Sequence, residues 1–182
     1  MSAPILNSLR LYAADETVTA QIAELLATQV EARAPQVDNS ASPTAGIFYL
    51  QGDLGAGKTS FTRAFLRKLG VSGRIKSPSY GLVESYKLSS FTAYHLDFYR
   101  FNDPREWLDA GFRDILYEKQ AVVLIEWPEK AANLLPSPDL TIQLDYHEPG
   151  RYLTLSAYSD KGNLWLEHVN AALHTINSHD SV

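Results

Sequence analysis

Residues 52–59 read Gly52-Asp53-Leu54-Gly55-Ala56-Gly57-Lys58-Thr59 and match the pattern G-x-x-x-x-G-K-[ST] at every fixed position. The small residues allow consecutive backbone N–H groups to turn inward and form a nest for an anion. A helix that follows such a loop directs the positive end of its dipole at the same place. The stretch therefore predicts a phosphate-binding loop whose nucleotide-binding residues are Leu54, Gly55, Ala56, Gly57, Lys58, Thr59 and Ser60.

Two residues of this loop carry most of the predicted chemistry. We expect Lys58 to act in catalysis by reaching the β- and γ-phosphates, and the Thr59 hydroxyl to ligate Mg²⁺. The flanking segments agree, because residues 46–51 are an apolar run typical of a buried strand and residues 60–69 carry apolar side chains at helical spacing. The alternative is a glycine-rich turn with a surface lysine, but strand, loop and helix stand in the order that phosphate binding requires.

Apolar periodicity predicts the remaining elements. Strands are expected at residues 9–12 (a sheet edge), 81–88 and 91–98 (a pair), 121–125, 140–144 and 152–155. Helices are expected at residues 16–33, 104–110 and 164–176, a flexible surface loop at 35–45 and a disordered tail at 177–182. This order predicts a single P-loop NTPase domain over residues 1–182, a three-layer α/β fold with helices flanking a mixed central sheet.

The strand patterns also predict where each strand lies. The continuous hydrophobicity of residues 121–125 indicates a central parallel strand that is buried on both faces. Residues 140–144 and 152–155 alternate in polarity, as half-exposed strands do. In such a sheet the nucleotide is expected at the carboxyl ends of the strands.

Composition narrows the possible classes of protein. The chain has 182 residues, 45% of them hydrophobic, and no cysteine. The lack of cysteine removes disulfides and thiol-based metal sites, and it is compatible with a reducing cytoplasm. We expect neither a signal peptide nor a membrane span, because no apolar run has the required pattern or length.

The charge distribution bears on possible partners. The net charge of −5 argues against a protein that coats nucleic acid by charge alone. Basic residues nevertheless cluster just after the loop, at Arg63, Arg67, Lys68, Arg74 and Lys76. A solvated helix face is favoured there over a patch that faces RNA or an acidic partner.

Two carboxylates are candidates for binding the metal or for acting on the water that attacks the phosphates. Glu126 ends the apolar run at residues 122–125, which is the pattern of the second nucleotide-binding motif that holds Mg²⁺. Asp97 ends another predicted strand and would orient the attacking water or act as a base. The alternative for each is an ordinary surface carboxylate at the end of a strand.

Three further residues allow more than one interpretation. His95 is interpreted as a packed or hydrogen-bonded strand residue rather than a metal ligand, because no partner histidine lies at ligand spacing. Trp127 belongs either to the core or to the flank of the nucleotide. Arg151 follows a predicted turn and either reaches the phosphates or base, or is simply solvated.

Taken together, these segments resemble the bacterial TsaE (YjeE) family. The resemblance covers about residues 9–166, and its motifs beyond the phosphate-binding loop are much more specific than the loop itself. The motifs that carry it are residues 52–59 (GDLGAGKT), 76–80 (KSPSY), 94–100 (YHLDFYR), 103–106 (DPRE), 125–128 (IEWP), 135–139 (LPSPD) and 150–151 (GR).

The resemblance implies a cytoplasmic ATPase of tRNA modification that uses ATP and Mg²⁺. Such a protein helps to form N6-threonylcarbamoyladenosine at position 37 of tRNAs that read codons beginning with A. It acts with TsaD and TsaB, and it contacts tRNA indirectly through that complex. Hydrolysis is expected to reset the complex between turnovers.

The resemblance also implies roles for individual residues. Lys58 is the phosphate lysine, Thr59 and Glu126 hold Mg²⁺, and Asp97 lies near the γ-phosphate. The further residues that it places at or beside the site are the switch-like segment 77–80, Trp127, Arg151 and residues 16–19.

Other classes of function remain open. A small-molecule kinase also pairs a phosphate-binding loop with a compact α/β domain, and Arg100, Arg105 and Arg113 would then clamp phosphates. A GTPase is disfavoured, because the chain has no N-K-x-D motif for reading guanine. A third class is a nucleotide-switched assembly module in which hydrolysis is incidental.

Overall fold

The computed structural model describes residues 3–31 and 45–179. Apart from Ala45, the loop predicted at residues 35–45 lies outside the described residues. The tail predicted at residues 177–182 begins too early, because the last helix continues through residue 179. Residues 180–182 lie outside the described part.

Seven strands of the described chain form one mixed sheet, with bounds β1 Asn7–Ala13, β2 Gly46–Gln51, β3 Val83–Lys87, β4 Thr92–Asp97, β5 Ala121–Glu126, β6 Leu140–His147 and β7 Gly150–Ala157. Their order across the sheet is β1-β7-β6-β2-β5-β4-β3. The strands β6, β2, β5 and β4 are parallel, whereas β7 is antiparallel to β1 and β6, and β3 is antiparallel to β4. The predicted mixed sheet, its edge strand and its antiparallel pair are confirmed.

Helices cover both faces of this sheet, with bounds α1 Glu16–Glu31, α2 Lys58–Lys68, α3 Glu106–Asp109, α4 Arg113–Leu116 and α5 Asp160–His179, together with a 3₁₀ helix at Pro128–Leu134. α1 begins after Asp15, whose Oδ1 accepts a hydrogen bond from the Val18 N–H at 3.0 Å as an N-cap. The helix predicted at 104–110 is shorter than expected, and α4 was not predicted, because a single turn shows no apolar period.

Two hydrophobic clusters fill the spaces between the layers. Alternate residues of the central strands point to opposite faces, so Leu124 of β5 joins the cluster under α1, α2 and α5, and Val123 joins the cluster under α3 and α4. Every residue of β5 is buried, which confirms the prediction of a central strand at residues 121–125. The molecule therefore has the predicted three layers.

The prediction of half-exposed strands at residues 140–144 and 152–155 is correct only in part. Residues 152–155 alternate in burial as predicted, and the apolar residues of 140–144 are buried as predicted, but Thr141 of β6 is buried as well. The reason is that both faces of the sheet are covered by helices in this region, whereas the end of β6 extends past β2 into solvent.

The register of the sheet positions the candidate site. β2, β5 and β4 are neighbours and parallel, so their carboxyl ends meet at one edge. β2 leads into the phosphate-binding loop, and Asp97 at the end of β4 stands directly opposite Glu126 at the end of β5. Among the helices that the structure describes, none has the length and apolar character needed to cross a membrane.

Candidate nucleotide-binding site

The loop between β2 and α2 has a backbone that favours glycine at three positions, the two fixed glycines of the pattern and Gly55 between them. Gly52, Gly55 and Gly57 have φ angles of 133°, 82° and 108°, which side chains of L-residues rarely adopt. A Cβ atom at Gly52 would also collide with the carbonyl oxygen of Leu144, and one at Gly57 would collide with Nη1 of Arg151. The loop is therefore fixed both by its own dihedral angles and by the strands β6 and β7 beside it.

Lys58, the first residue of α2, is buried at the centre of the site with 4% of its surface exposed. Its Nζ donates to the carbonyl oxygens of Gly52 at 2.6 Å and Asp53 at 2.8 Å, and it lies 4.0 Å from the centre of the Trp127 ring. Burial lowers the pKa of Lys58, although nearby carboxylates, led by Glu126, oppose the shift. The ammonium group is therefore placed against the loop that would cradle phosphates.

Glu126 has a separate partner for each of its carboxylate oxygens. The Thr59 hydroxyl donates to Oε2 at 3.1 Å, and Nε2 of His95 lies 2.8 Å from Oε1. Glu126 is 2% exposed. The two residues predicted to hold the metal, Thr59 and Glu126, are thus in direct contact.

Asp97 lies beside this pair and is 5% exposed. Its Oδ1 accepts a hydrogen bond from the Tyr99 N–H at 2.9 Å. Burial is the largest cause of a raised pKa at Asp97, and the charge of Glu126 adds to it, while the Tyr99 N–H opposes it. A carboxylate with a raised pKa accepts a proton more readily than an exposed aspartate does.

These side chains line one open cleft with a volume of about 440 Å³. The cleft therefore brings together most of the site residues that the sequence predicts, including both carboxylates and part of the switch-like segment. The residues that line it are Leu54, Gly55, Gly57, Lys58, Thr59, Ser60, Ser77, Ser79, Tyr80, Asp97, Tyr99, Arg100, Glu126 and Trp127.

Three predicted site elements do not line the cleft. Ala56 is buried inside the loop, and residues 16–19 form the first turn of α1. Nη1 of Arg151 donates to the carbonyl oxygen of Ala56 at 2.7 Å, across 95 residues of chain. Arg151 therefore braces the loop from behind, and a contact between its guanidinium and the phosphates or base stays a prediction.

The rim of the cleft carries strained and exposed residues. Trp127 has a positive φ of 57° and packs against Tyr99, with 5.1 Å between the ring centres. Tyr80 is 85% exposed, and the Arg100 guanidinium lies 4.3 Å from the centre of its ring. Trp127 thus packs against a core cluster and also lines the cleft beside the Lys58 ammonium, and its place at the flank of the nucleotide stays a prediction.

Sequence reasoning did not connect His95 with Glu126. It interpreted His95 as a packed or hydrogen-bonded strand residue, which is confirmed, but it did not find the partner. The available signal was its position two residues before Asp97, because residues i and i+2 of a strand lie on the same face. Tyr99 was likewise not recognised as lining the cleft, and Arg100 was considered there only as a phosphate clamp of the kinase alternative.

The donor set of the cleft suits a hard divalent cation such as Mg²⁺. The Thr59 hydroxyl and the Glu126 carboxylate are oxygen ligands, which Mg²⁺ prefers. Within residues 3–31 and 45–179, no group of three or more His, Cys, Asp or Glu side chains could hold an ion by itself. That pattern agrees with Mg²⁺ held by one or two protein groups together with phosphate oxygens and water.

Comparison with known proteins finds relatives that are named for tRNA threonylcarbamoyladenosine biosynthesis. A protein of Haemophilus influenzae named tRNA threonylcarbamoyladenosine biosynthesis protein TsaE is 43% identical over 116 residues, which are 64% of this chain and 73% of that protein. The protein of the same name from Bacillus subtilis is 32% identical over 125 residues, 68% of this chain and 77% of its own.

A solved structure and a family model extend the comparison to most of the chain. The crystal structure of Bacillus subtilis YdiB superposes with a TM-score of 0.70 at 26% identity, covering 94% of this chain and 99% of that one. The model of the family described as "Threonylcarbamoyl adenosine biosynthesis protein TsaE" matches residues 13–153. Because that match covers well over half of the chain and includes the loop, both carboxylates and Arg151, this chain belongs to the TsaE family.

Proposed function

We propose that this chain binds and hydrolyses ATP with Mg²⁺ and so supports formation of N6-threonylcarbamoyladenosine at position 37 of tRNAs that read codons beginning with A. The observation that carries the proposal is the convergence of Lys58, Thr59, Asp97 and Glu126 on one cleft beside a glycine-rich loop. Membership of the TsaE family supports the pathway, because the relatives in Haemophilus influenzae and Bacillus subtilis are named for that modification.

The loop and the start of α2 would bind the phosphates of ATP. The backbone N–H groups of the loop and the helix terminus provide positive potential, and the buried Lys58 adds a full charge. The Arg151 guanidinium of β7 donates a hydrogen bond to the carbonyl oxygen of Ala56, and this contact helps the loop to keep its shape. Binding would therefore exploit a geometry that the fold already maintains.

Thr59 and Glu126 would hold Mg²⁺, which when bound neutralises the charge that develops on the phosphate oxygens. Asp97 stands opposite Glu126 on the neighbouring strand and would orient the attacking water or accept its proton. Burial raises the pKa of Asp97, which suits that role. Hydrolysis would then depend on positioning and on charge stabilisation, with no covalent step on the protein.

We infer that the ATPase activity is slow for the isolated chain and faster with TsaD and TsaB. The switch-like segment at residues 77–80 supports this inference, because Ser77, Ser79 and Tyr80 line the cleft while Tyr80 is largely exposed. A partner that packs on this segment would order it over the site. We place the reaction in the cytoplasm, with tRNA contacted through the complex.

The proposal is tested by measuring ATP hydrolysis in Mg²⁺ with the chain alone and with its cognate TsaD–TsaB pair. We expect strong stimulation by the pair, followed by multiple turnovers of tRNA modification. Equal rates with and without the pair would contradict the partner-coupled function. Absence of ATP binding at any protein concentration would contradict the site itself.

The arginines named for a kinase do not form a clamp in the structure. Arg100 lines the cleft, but Arg105 pairs with Asp103 at 3.0 Å and its side chain is 74% exposed. The Arg113 guanidinium lies 6.0 Å from the centre of the Tyr117 ring, and neither Arg105 nor Arg113 lines the cleft. Transfer of the γ-phosphate to an acceptor instead of water would nevertheless favour the kinase, and many rounds of modification by a hydrolysis-deficient variant would favour the assembly module.

A further inference from the structure

We infer that His95 is a positioning residue for the metal site, which holds the Glu126 carboxylate so that its second oxygen faces Thr59 and Mg²⁺. The inference rests on the proposed function, because it concerns the Mg²⁺ of that same site. The contacts that carry it are His95 Nε2 to Glu126 Oε1 at 2.8 Å and Thr59 Oγ1 to Glu126 Oε2 at 3.1 Å.

The sheet register places His95 next to the carboxylate. His95 pairs with Leu124 and Asp97 pairs with Glu126 on the adjacent parallel strands β4 and β5. Side chains two residues apart on a strand share a face, so His95 and Glu126 lie diagonally on one face of the sheet. His95 is completely buried, and therefore its imidazole approaches the carboxylate from the interior side, away from the open cleft.

The direction of the hydrogen bond follows from the chemistry of the two groups. An ionised carboxylate only accepts hydrogen bonds, so Nε2 of His95 carries the hydrogen and donates it. A buried carboxylate is costly unless it is hydrogen-bonded, and His95 supplies a bond from the side that water does not reach. This fixes one oxygen of Glu126 and leaves the other for Thr59 and the metal.

The unpaired second nitrogen of His95 indicates that the imidazole serves to bind Glu126. Nδ1 is buried and has no hydrogen-bond partner among the described residues. An apolar side chain would fill the same space without leaving a polar atom unpaired, since such an atom costs about 1–3 kcal/mol. Packing alone therefore does not explain a histidine here, whereas orientation of Glu126 does.

Loss of this bond should weaken the metal site without removing a ligand. Groups that hydrogen-bond metal ligands typically change metal affinity by about 10–100-fold when they are mutated. With His95 replaced, the Glu126 carboxylate is free to rotate away from Thr59. We therefore expect His95 to affect metal binding through Glu126 and to leave the phosphate-binding loop unchanged.

The test compares His95→Met with His95→Gln, two side chains of similar size of which only glutamine has an N–H at about the position of Nε2. The readout is the affinity of Mn²⁺ for the complex of the full chain with a non-hydrolysable ATP analogue, measured by electron paramagnetic resonance. We expect the Kd for Mn²⁺ to rise about 10–100-fold in His95→Met and to stay within a few-fold of wild type in His95→Gln. Affinity for the analogue in EDTA should be the same in all three proteins.

Two further variants keep the outcome interpretable. If His95→Met fails to fold in thermal unfolding experiments, His95→Asn replaces it, because the asparagine amide is too short to reach Glu126. In a Glu126→Gln background, His95→Met should change the Kd for Mn²⁺ little further, as two residues acting through one group do. Wild-type Mn²⁺ affinity in folded His95→Met, or in His95→Asn where that variant replaces it, would overturn this inference while the proposed function stands. Absence of Mn²⁺ binding by the wild-type complex would overturn both.

Discussion

The brace between Arg151 and the phosphate-binding loop leads to a quantitative prediction for Gly57→Ala. Gly57 has a φ of 108°, and an added Cβ would collide with Nη1 of Arg151, which donates to Ala56 at 2.7 Å. The left-handed backbone costs about 1–2 kcal/mol for a residue with a Cβ. Loss of a hydrogen bond from a charged donor costs about 1.5–3 kcal/mol more. We therefore expect Gly57→Ala to lower the free energy of unfolding by about 2.5–5 kcal/mol.

Gly55→Ala provides the matched control in the same loop. Gly55 also has a positive φ, of 82°, but nothing lies within 4 Å of the position of its Cβ. Only the backbone term applies there, so this substitution should cost about 1–2 kcal/mol. The difference between the two variants isolates the contact with Arg151.

Urea unfolding monitored by tryptophan fluorescence measures these values. Arg151→Ala should destabilise the wild-type protein by about 1.5–3 kcal/mol, but it should add little in the Gly57→Ala background, because the same hydrogen bond is already lost. If Gly57→Ala costs no more than Gly55→Ala, or if the two substitutions are additive, Arg151 does not brace the loop and the reasoning is refuted.

Three other predictions concern the cleft. Lys58→Met should abolish ATP binding, measured by calorimetry, because the substitution removes the buried cation. Lys68→Met, on the exposed face of the same helix, should leave ATP binding unchanged. Equal ATP affinities of the two variants would contradict the phosphate role of Lys58. The raised pKa of Asp97 means that its charged form opposes folding above that pKa, so Asp97→Asn should raise stability at pH 7 and the gain should vanish below about pH 4. A pH-independent effect in chemical denaturation would refute that cause. Tyr80→Ala should leave the melting temperature unchanged because the side chain is 85% exposed, yet reduce the stimulation of ATP hydrolysis by TsaD–TsaB; full stimulation would exclude Tyr80 from the interface.

Much of the site was predictable because its signals are local in the chain. The spacing of Gly52, Gly57, Lys58 and Thr59 encodes a loop whose geometry depends on neighbouring dihedral angles. Glu126 was predictable because an unbroken apolar run indicates a central parallel strand, and the residue after such a strand reaches the edge where ligands bind.

Other features depended on pairings that no local pattern encodes. The burial of Thr141 in β6 could not be read from the alternating sequence, because it depends on what packs over that face of the assembled sheet. α4 was missed since four residues are too few to show a period. For Arg151 the sequence left open a phosphate contact or solvent, and it gave no sign of the hydrogen bond to the backbone of Ala56.

The phosphate-binding loop, the order of all the strands and of the longer helices, and the two carboxylates at strand ends could be predicted from adjacent residues, because each follows from their conformational preferences and polarity. Three contacts became visible only in the folded chain: Asp97 opposite Glu126, His95 bound to Glu126 from within, and Arg151 bound to the loop. These contacts join residues that are 29 to 95 positions apart in the chain. They form only when the strands pair in the assembled sheet. Their physical origin is the shared burial of the β2, β4, β5, β6 and β7 side chains, which a pattern within one segment does not contain.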